Sequence, residues 1–387
     1  MMAVNTQVIQ KSRKFQLLQI LRAYAALLVV TTHASLVSQR DFGGQFLLSN
    51  TLQEGARIGV EIFFILSGFI HFYVHQKHFS HKEKLKSYFL KRIIRIYPIY
   101  WIVSLPLIPI YFIAPFLGNK DGDSGFIYIF KSLLLIPQEE FPLLSVGWTL
   151  TLELFFYVLI GILIWFRPKI ARLIISILLI GTLIKFFVDI SGGGWETKYR
   201  TGNSLFDLSF STAFIFNRFN LSFFSGVLVS LLVVRNNLAG NAKKNYLIRW
   251  SWVVILLAAT VLICLPPEML GSISGGTITA GEANRILYYG PIVGIWITAS
   301  IVSEMAFSLK IPRFLDYLGD ASYSIFLLHY PALLAMGKAC KFLELDQIID
   351  YRFLMYTITI ASVAFGVVLY TKVEKPVTRW LMLRVKR

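Results

Sequence analysis

Charge is what this sequence has least of. Only 15% of its 387 residues are Asp, Glu, Lys or Arg, against about 25% in an ordinary soluble domain, and no polar stretch is long enough to build a second, soluble domain. Cysteine is nearly absent as well. Cys264 and Cys340 form no C-x-x-C pattern, which excludes a disulfide framework and a cysteine-based zinc site. The P-loop, the G-x-G-x-x-G turn and the H-E-x-x-H pair are all missing, so nothing points to nucleotide hydrolysis. No segment repeats at a fixed period.

What fills the chain is apolar: 56% of it is hydrophobic. Stretches near the roughly 20 residues that cross a bilayer recur at 17–37, 57–75, 96–117, 148–166, 171–190, 213–234, 247–265, 285–303, 320–338 and 352–372. They predict an all-α, polytopic integral membrane bundle of about ten transmembrane helices. A membrane domain over 17–372 is then flanked by an N-terminal tail, 1–16, and a basic tail, 373–387. The first apolar run follows Lys11, Arg13 and Lys14. It is longer than a signal-peptide core and lacks a small-residue cleavage site, so it reads as a retained helix. The 126–136 stretch is too short to span and reads as a re-entrant or interfacial element.

The net charge of +17 invites a nucleic-acid reading, but its distribution argues against one. Lys and Arg gather in alternate loops, 25 on the side that both termini share and 12 on the other, with Arg22 inside the first helix. This is the positive-inside pattern and places both termini in the cytoplasm. It is not the continuous basic face with interleaved aromatics of a nucleic-acid binder. On the outer side, Asp121, Asp123 and the run Gly192-Gly193-Gly194-Trp195 suit carbohydrate contact and equally suit ordinary loops.

An ionisable residue inside a spanning helix costs several kcal/mol and marks a functional candidate. Arg22 and His33 share the first helix. Eleven residues at about 100° each return to within roughly 20° of one face, about 16 Å apart along the axis. That face carries a fixed cation toward the cytoplasm and a proton acceptor beyond the midplane. Imidazole suits the removal of a hydroxyl proton, and guanidinium suits the phosphates of an anionic donor such as acyl-coenzyme A. The plainer alternative is that Arg22 snorkels to the interface and His33 bonds a neighbouring helix.

Arg92 and Arg95 lie at i and i+3 before Tyr97-Pro98 and either clamp one phosphate or merely flank a helix. Glu153, in Gly147-Trp148-Thr149-Leu150-Thr151-Leu152-Glu153, falls at a depth expected to match His33, where it orients the imidazole or receives a sugar hydroxyl. Glu61, closer to its helix start, suits the helix dipole. His329 either joins this cluster or bonds another helix. The run His71, His75, His78, His81 resembles metal spacing, but beside lysines it reads as interfacial solvation. Ser67-Gly68 reads as close packing of small residues. No metal is expected.

In order along the chain, Arg22 to His33, Gly59-Val60-Glu61-Ile62-Phe63-Phe64-Ile65-Leu66-Ser67-Gly68-Phe69, Arg92-Ile93-Ile94-Arg95-Ile96-Tyr97-Pro98, Trp148 to Tyr157, Ser322 to Pro331 and Glu374-Lys375-Pro376 resemble the successive motifs of the membrane-bound acyltransferase 3 family. The Gly-Trp-Thr-Leu wording and the Glu-Lys-Pro ending are most similar to bacterial exopolysaccharide and O-antigen O-acetyltransferases. One departure is Glu61, where the family more often has Asp. The resemblance implies transfer of an acyl group, usually acetyl, from acyl-coenzyme A to a carbohydrate or lipid-linked glycan, in a bacterial inner (plasma) membrane. It implies His33 as the catalytic residue, and Arg22, Arg92 and Arg95 as donor-binding ones; Glu153 is the candidate that accompanies His33. The rival readings are a glycan or lipid transporter or flippase, and an acyltransferase with a lipid or small-molecule acceptor.

Overall fold

The computed structural model describes residues 15–44, 58–113, 125–138, 140–191, 210–235, 238–264, 282–307 and 312–385. Asp121, Asp123 and Gly192 to Trp195 lie outside the described residues. Among the described residues every regular element is helical and there is no strand, so the chain is an all-α membrane bundle. Its long helices are α1 (Gln16–Val37), α2 (Ile58–His75), α3 (Leu85–Ser104), α4 (Trp148–Trp165), α5 (Pro168–Ser191), α6 (Phe219–Arg235), α7 (Tyr246–Cys264), α8 (Glu282–Phe307), α9 (Arg313–Phe342) and α10 (Tyr351–Leu369). A π-helical turn, Tyr370–Glu374, leads into α11 (Lys375–Val385).

Eight helical stretches among the described residues are long and apolar enough to cross a membrane. The two long helices outside that set have separate reasons. The apolar part of α7, Tyr246–Val261, is short. α9 is 30 residues long but carries the buried polar residues Ser322, Ser324 and His329. A polar helix in the middle of a bundle must find its partners among the other helices, and this one does so around the site described below.

α1 is the hub: it packs on both α2 and α9, while α9 packs on α10, α2 on α6, and α7 on α8. Its first turn is tied down by a carboxylate from another helix. The main-chain N–H groups of Gln16 and Leu17 donate to Glu304 of α8 at 2.9 and 2.8 Å. They satisfy donors that a helix start leaves open and put negative charge at the positive end of the dipole.

One boundary departs from expectation in a way that matters for function. The third helix begins at Leu85 rather than near 96, so Arg92 and Arg95 lie within α3 and not in a flanking segment. Apolar length alone misses this turn because Lys86, Lys91 and the two arginines mask it. The short helix Phe126–Leu134 buries Tyr128, Ile129 and Ser132 and exposes Phe126, Ile127 and Phe130. Its terminal carbonyls are capped by α3: the Tyr100 hydroxyl donates to Ser132, Trp101 Nε1 to Leu133 and the Tyr97 hydroxyl to Leu134, at 2.6 to 2.8 Å.

α2 and α6 touch backbone to backbone. A Cβ on Gly68 would stand 2.0 Å from the Phe223 carbonyl oxygen, and one on Gly226 would stand 1.9 Å from that of Ile65. Glycine is required because close approach of membrane helices needs small residues at the contact. Gly68→Ala and Gly226→Ala should each destabilise the bundle by at least the upper part of the roughly 1–3 kcal/mol typical of overpacking. Gly290→Ala, with no atom within 4 Å of the added carbon, should be neutral. Thermal melting of the detergent-purified variants checks this, and equal melting of all three would contradict the close contact.

Candidate active site

A cavity of about 300 Å³ opens between α1, α2, α3, α4 and α9, at the lower end of the roughly 300–1,000 Å³ typical of small-molecule sites. Arg22 reaches it from α1, Ser67 and His71 from α2, Arg92 and Arg95 from α3, Glu153 and Tyr157 from α4, and Tyr323 and Phe326 from α9. The three arginines that the sequence singled out therefore share one space, which takes both α1 and α3 to build.

Each guanidinium is held differently. Arg95 Nη1 donates to Glu374 Oε1 at 2.6 Å, and Ser324 Oγ donates to the other oxygen of the same carboxylate at 2.6 Å. Glu374, assigned by its sequence position to the basic tail, is wholly buried in the bundle. It sits in the π-helical turn after α10, where the extra residue re-aims side chains. Arg92 Nη2 donates to His75 Nε2 at 2.7 Å, and its guanidinium stands 5.5 Å from the ring centres of both Tyr88 and Tyr157, within cation–π range. Arg22 is the least constrained; Nη1 donates to Gln19 Oε1 at 3.4 Å, and the side chain is half-buried against the cavity.

Glu153 is placed differently from its expected position beside His33. Its Oε1 accepts a hydrogen bond from Ser67 Oγ at 2.8 Å inside the arginine-lined cavity. Depth counted from helix ends misleads here, because helix packing sets which side chains meet. Ser67 is thus more than a packing residue: Gly68 makes the close contact with α6, while Ser67 turns into the cavity. His71 Nδ1 lies 2.8 Å from the Ser67 carbonyl and 3.0 Å from its hydroxyl. The carbonyl can only accept, so Nδ1 carries the proton.

The reading of the histidine run as solvated holds only at its end. His81 is exposed and pairs with Glu83 at 3.2 Å, whereas His71 and His75 are buried. Among the described residues no three His, Cys, Asp or Glu side chains stand close enough to hold a metal. Glu61 is buried in the first turn of α2.

His33 belongs to a second cluster, farther along α1. Its Nδ1 is 2.8 Å from His329 Nε2 on α9, and the Tyr330 ring centre is 4.7 Å from its own. The clusters meet at Phe326, which lines the cavity and has its ring centre 5.9 Å from that of His329. Sequence reasoning left His329 between two alternatives; it bonds His33 itself. Glu374, Ser324 and Ser67 were missed as site residues, although all three lay inside motifs already noted.

The sequence profile of the acyltransferase 3 family, described as an acyltransferase domain, matches residues 16–371, a span that contains the three arginines, Glu153 and the imidazole pair and ends just before Glu374. The chain belongs to this acyltransferase family. It is 23% identical over 334 residues to the exopolysaccharide production protein ExoZ of Rhizobium meliloti, covering 83% of this chain and 89% of that protein. It is 24% identical over 341 residues to the peptidoglycan O-acetyltransferase OatA of Listeria monocytogenes, covering 81% of this chain but only 48% of that protein. No solved structure matches the chain.

The Arg95–Glu374 pair generates a prediction independent of activity. Glu374→Ala leaves a guanidinium inside the bundle without its carboxylate and should cost about 3 kcal/mol, the lower end for a broken buried pair, since Arg95 keeps some exposure. The double variant Arg95→Met/Glu374→Leu should recover most of that loss in a melting experiment.

Proposed function

We propose that this acyltransferase moves an acetyl group from acyl-coenzyme A, bound from the cytoplasmic side, to a hydroxyl of an extracytoplasmic or lipid-linked glycan. The reading places it in a bacterial inner membrane with both termini in the cytoplasm. The observation that carries it is the arrangement along α1: a cavity with three guanidiniums on one stretch and an imidazole pair on the next. Guanidiniums offer charge and directed donors to phosphate. In this reading Arg22, Arg92 and Arg95 hold the donor. Glu153, beside them, offsets part of their charge and fixes Ser67.

His33 is the base in this reading. The sugar oxygen attacks the thioester carbonyl carbon while its proton passes to His33. The carbon–sulfur bond then breaks, and the leaving thiolate takes the proton back, so His33 returns neutral. The names of the relatives support the acceptor class, since one is a peptidoglycan O-acetyltransferase and the other an exopolysaccharide production protein.

His33→Ala should lower acetyl transfer by about 10²–10⁴-fold, the usual worth of a general base, with protein level unchanged. Arg92→Ala should instead raise the apparent KM for acetyl-coenzyme A. Both are measured in inside-out membrane vesicles from the native host, which carry their own acceptor, supplied with labelled acetyl-coenzyme A. Coenzyme A thiol release coupled to alkali-labile acetate on vesicle polysaccharide is the expected product pattern. Passage of glycan without thiol release would point to transport and sink the proposal.

A further inference from the structure

His329 is fully buried on α9 and is engaged at both ring nitrogens. Nδ1 lies 3.1 Å from the carbonyl oxygen of Ile325, one turn earlier on the same helix. Nε2 lies 2.8 Å from Nδ1 of His33. A carbonyl has no proton to give, so in neutral His329 the proton sits on Nδ1 and Nε2 carries a lone pair. Two facing lone pairs would repel at 2.8 Å. The contact is therefore a hydrogen bond in which His33 Nδ1 is the donor. It follows that in neutral His33 the lone pair sits on Nε2. A main-chain carbonyl on one helix thus sets the tautomer of an imidazole on another, through a second ring.

From this geometry we infer that His329 is the positioning residue of the reaction. It holds His33 in the Nδ1–H form, so that Nε2 takes the proton of the acceptor hydroxyl, and it receives the hydrogen bond that strengthens when His33 becomes positive. The inference rests on the reading of His33 as base. In the transfer step the hydroxyl proton joins the Nε2 lone pair as the new carbon–oxygen bond forms. The imidazolium then donates from Nδ1 to the neutral Nε2 of His329, a charge-assisted bond stronger than the neutral one. When the carbon–sulfur bond breaks, the proton leaves Nε2 for the thiolate and the pair returns to its first state.

A neutral acceptor in this place has a physical advantage over a carboxylate. A carboxylate would orient the ring equally well but would itself be a buried charge between helices, stable only with further partners. His329 becomes electrostatically important only while His33 is charged. Tyr330, next in the chain, packs its ring at 4.7 Å from that of His33 and limits how the imidazole swings.

The test compares His329→Ala, His329→Gln and His33→Ala in the same native vesicles with labelled acetyl-coenzyme A. His329→Ala should lower the maximal rate on the order of 10²-fold while the apparent KM for acetyl-coenzyme A stays at the wild-type value. The amide oxygen of His329→Gln accepts the same hydrogen bond from His33 and should restore most of the rate. Wild-type turnover in His329→Ala overturns the inference, as does equal impairment of the Ala and Gln variants or a rise in KM matching the fall in rate. If His33→Ala itself turns over normally, the base reading fails first, and the two failures are told apart. A second measurement needs no variant at residue 329: nitrogen-15 spectra of the purified full chain, labelled at its six histidines and assigned for His33 by difference with His33→Ala. A protonated Nδ1 and a bare Nε2 on neutral His33 are expected; the reverse tautomer overturns the inference.

Discussion

A positive charge held among apolar helices survives only where other helices bring it a partner, and the arrangement of this bundle follows from that constraint. Arg95 draws Glu374 from the turn after α10 and, through it, Ser324 from α9. Arg92 draws His75 from α2 and stands beside tyrosines from α3 and α4. Those few bonds link five segments far apart in the chain around one space. Apolar packing supplies the bulk of the contacts, but packing between smooth helical surfaces is permissive about rotation and height. Hydrogen bonds to buried charge are not, because a misplaced partner leaves the charge uncompensated.

Compensation is nevertheless incomplete where the cavity lies. Arg92 Nε, a donor, and His71 Nε2, an acceptor, are both buried with no hydrogen-bond partner among the described residues, and both residues line the cavity. Leaving such groups unmade costs about 1–3 kcal/mol each. A stability-driven core would have removed them.

The long helices were legible because lipid imposes a single strong rule on composition, and the apolar runs obey it. The start of α3 was not, since Lys86, Lys91, Arg92 and Arg95 look like loop until tertiary contacts show where the guanidiniums go. Arg22 and His33 stood out by their cost in lipid, which a single sequence displays. Glu153 stood out for the same reason, yet its neighbour did not: counting residues from a helix end gives depth to within a turn or two, while rotation and tilt decide which side chains meet. Glu374, Ser67 and Glu304 act through partners 279, 86 and 288 residues away, a relation that periodicity cannot carry. The family resemblance had already marked the Glu-Lys-Pro segment; it named the residue without saying what it touches.

The same helix that aligns the two polar clusters also keeps them apart. Between the arginine-lined space and the imidazole pair stand Phe63 and Phe326, edge to face with ring centres 5.8 Å apart, both on the cavity wall. The pair would have to part to admit a slender, uncharged thioester arm, at far lower cost than for a charged nucleotide, and its apolar rings disfavour water. In the proposed transfer the charged end of the donor is therefore retained among guanidiniums while its acyl end enters a drier region around His33. An imidazole in that setting meets the sugar hydroxyl with little competition from bulk water, which would otherwise hydrolyse the thioester. In that proposal the aromatic pair that separates the clusters would favour transfer over hydrolysis, a division of labour that neither the arginines nor the histidines could enforce alone.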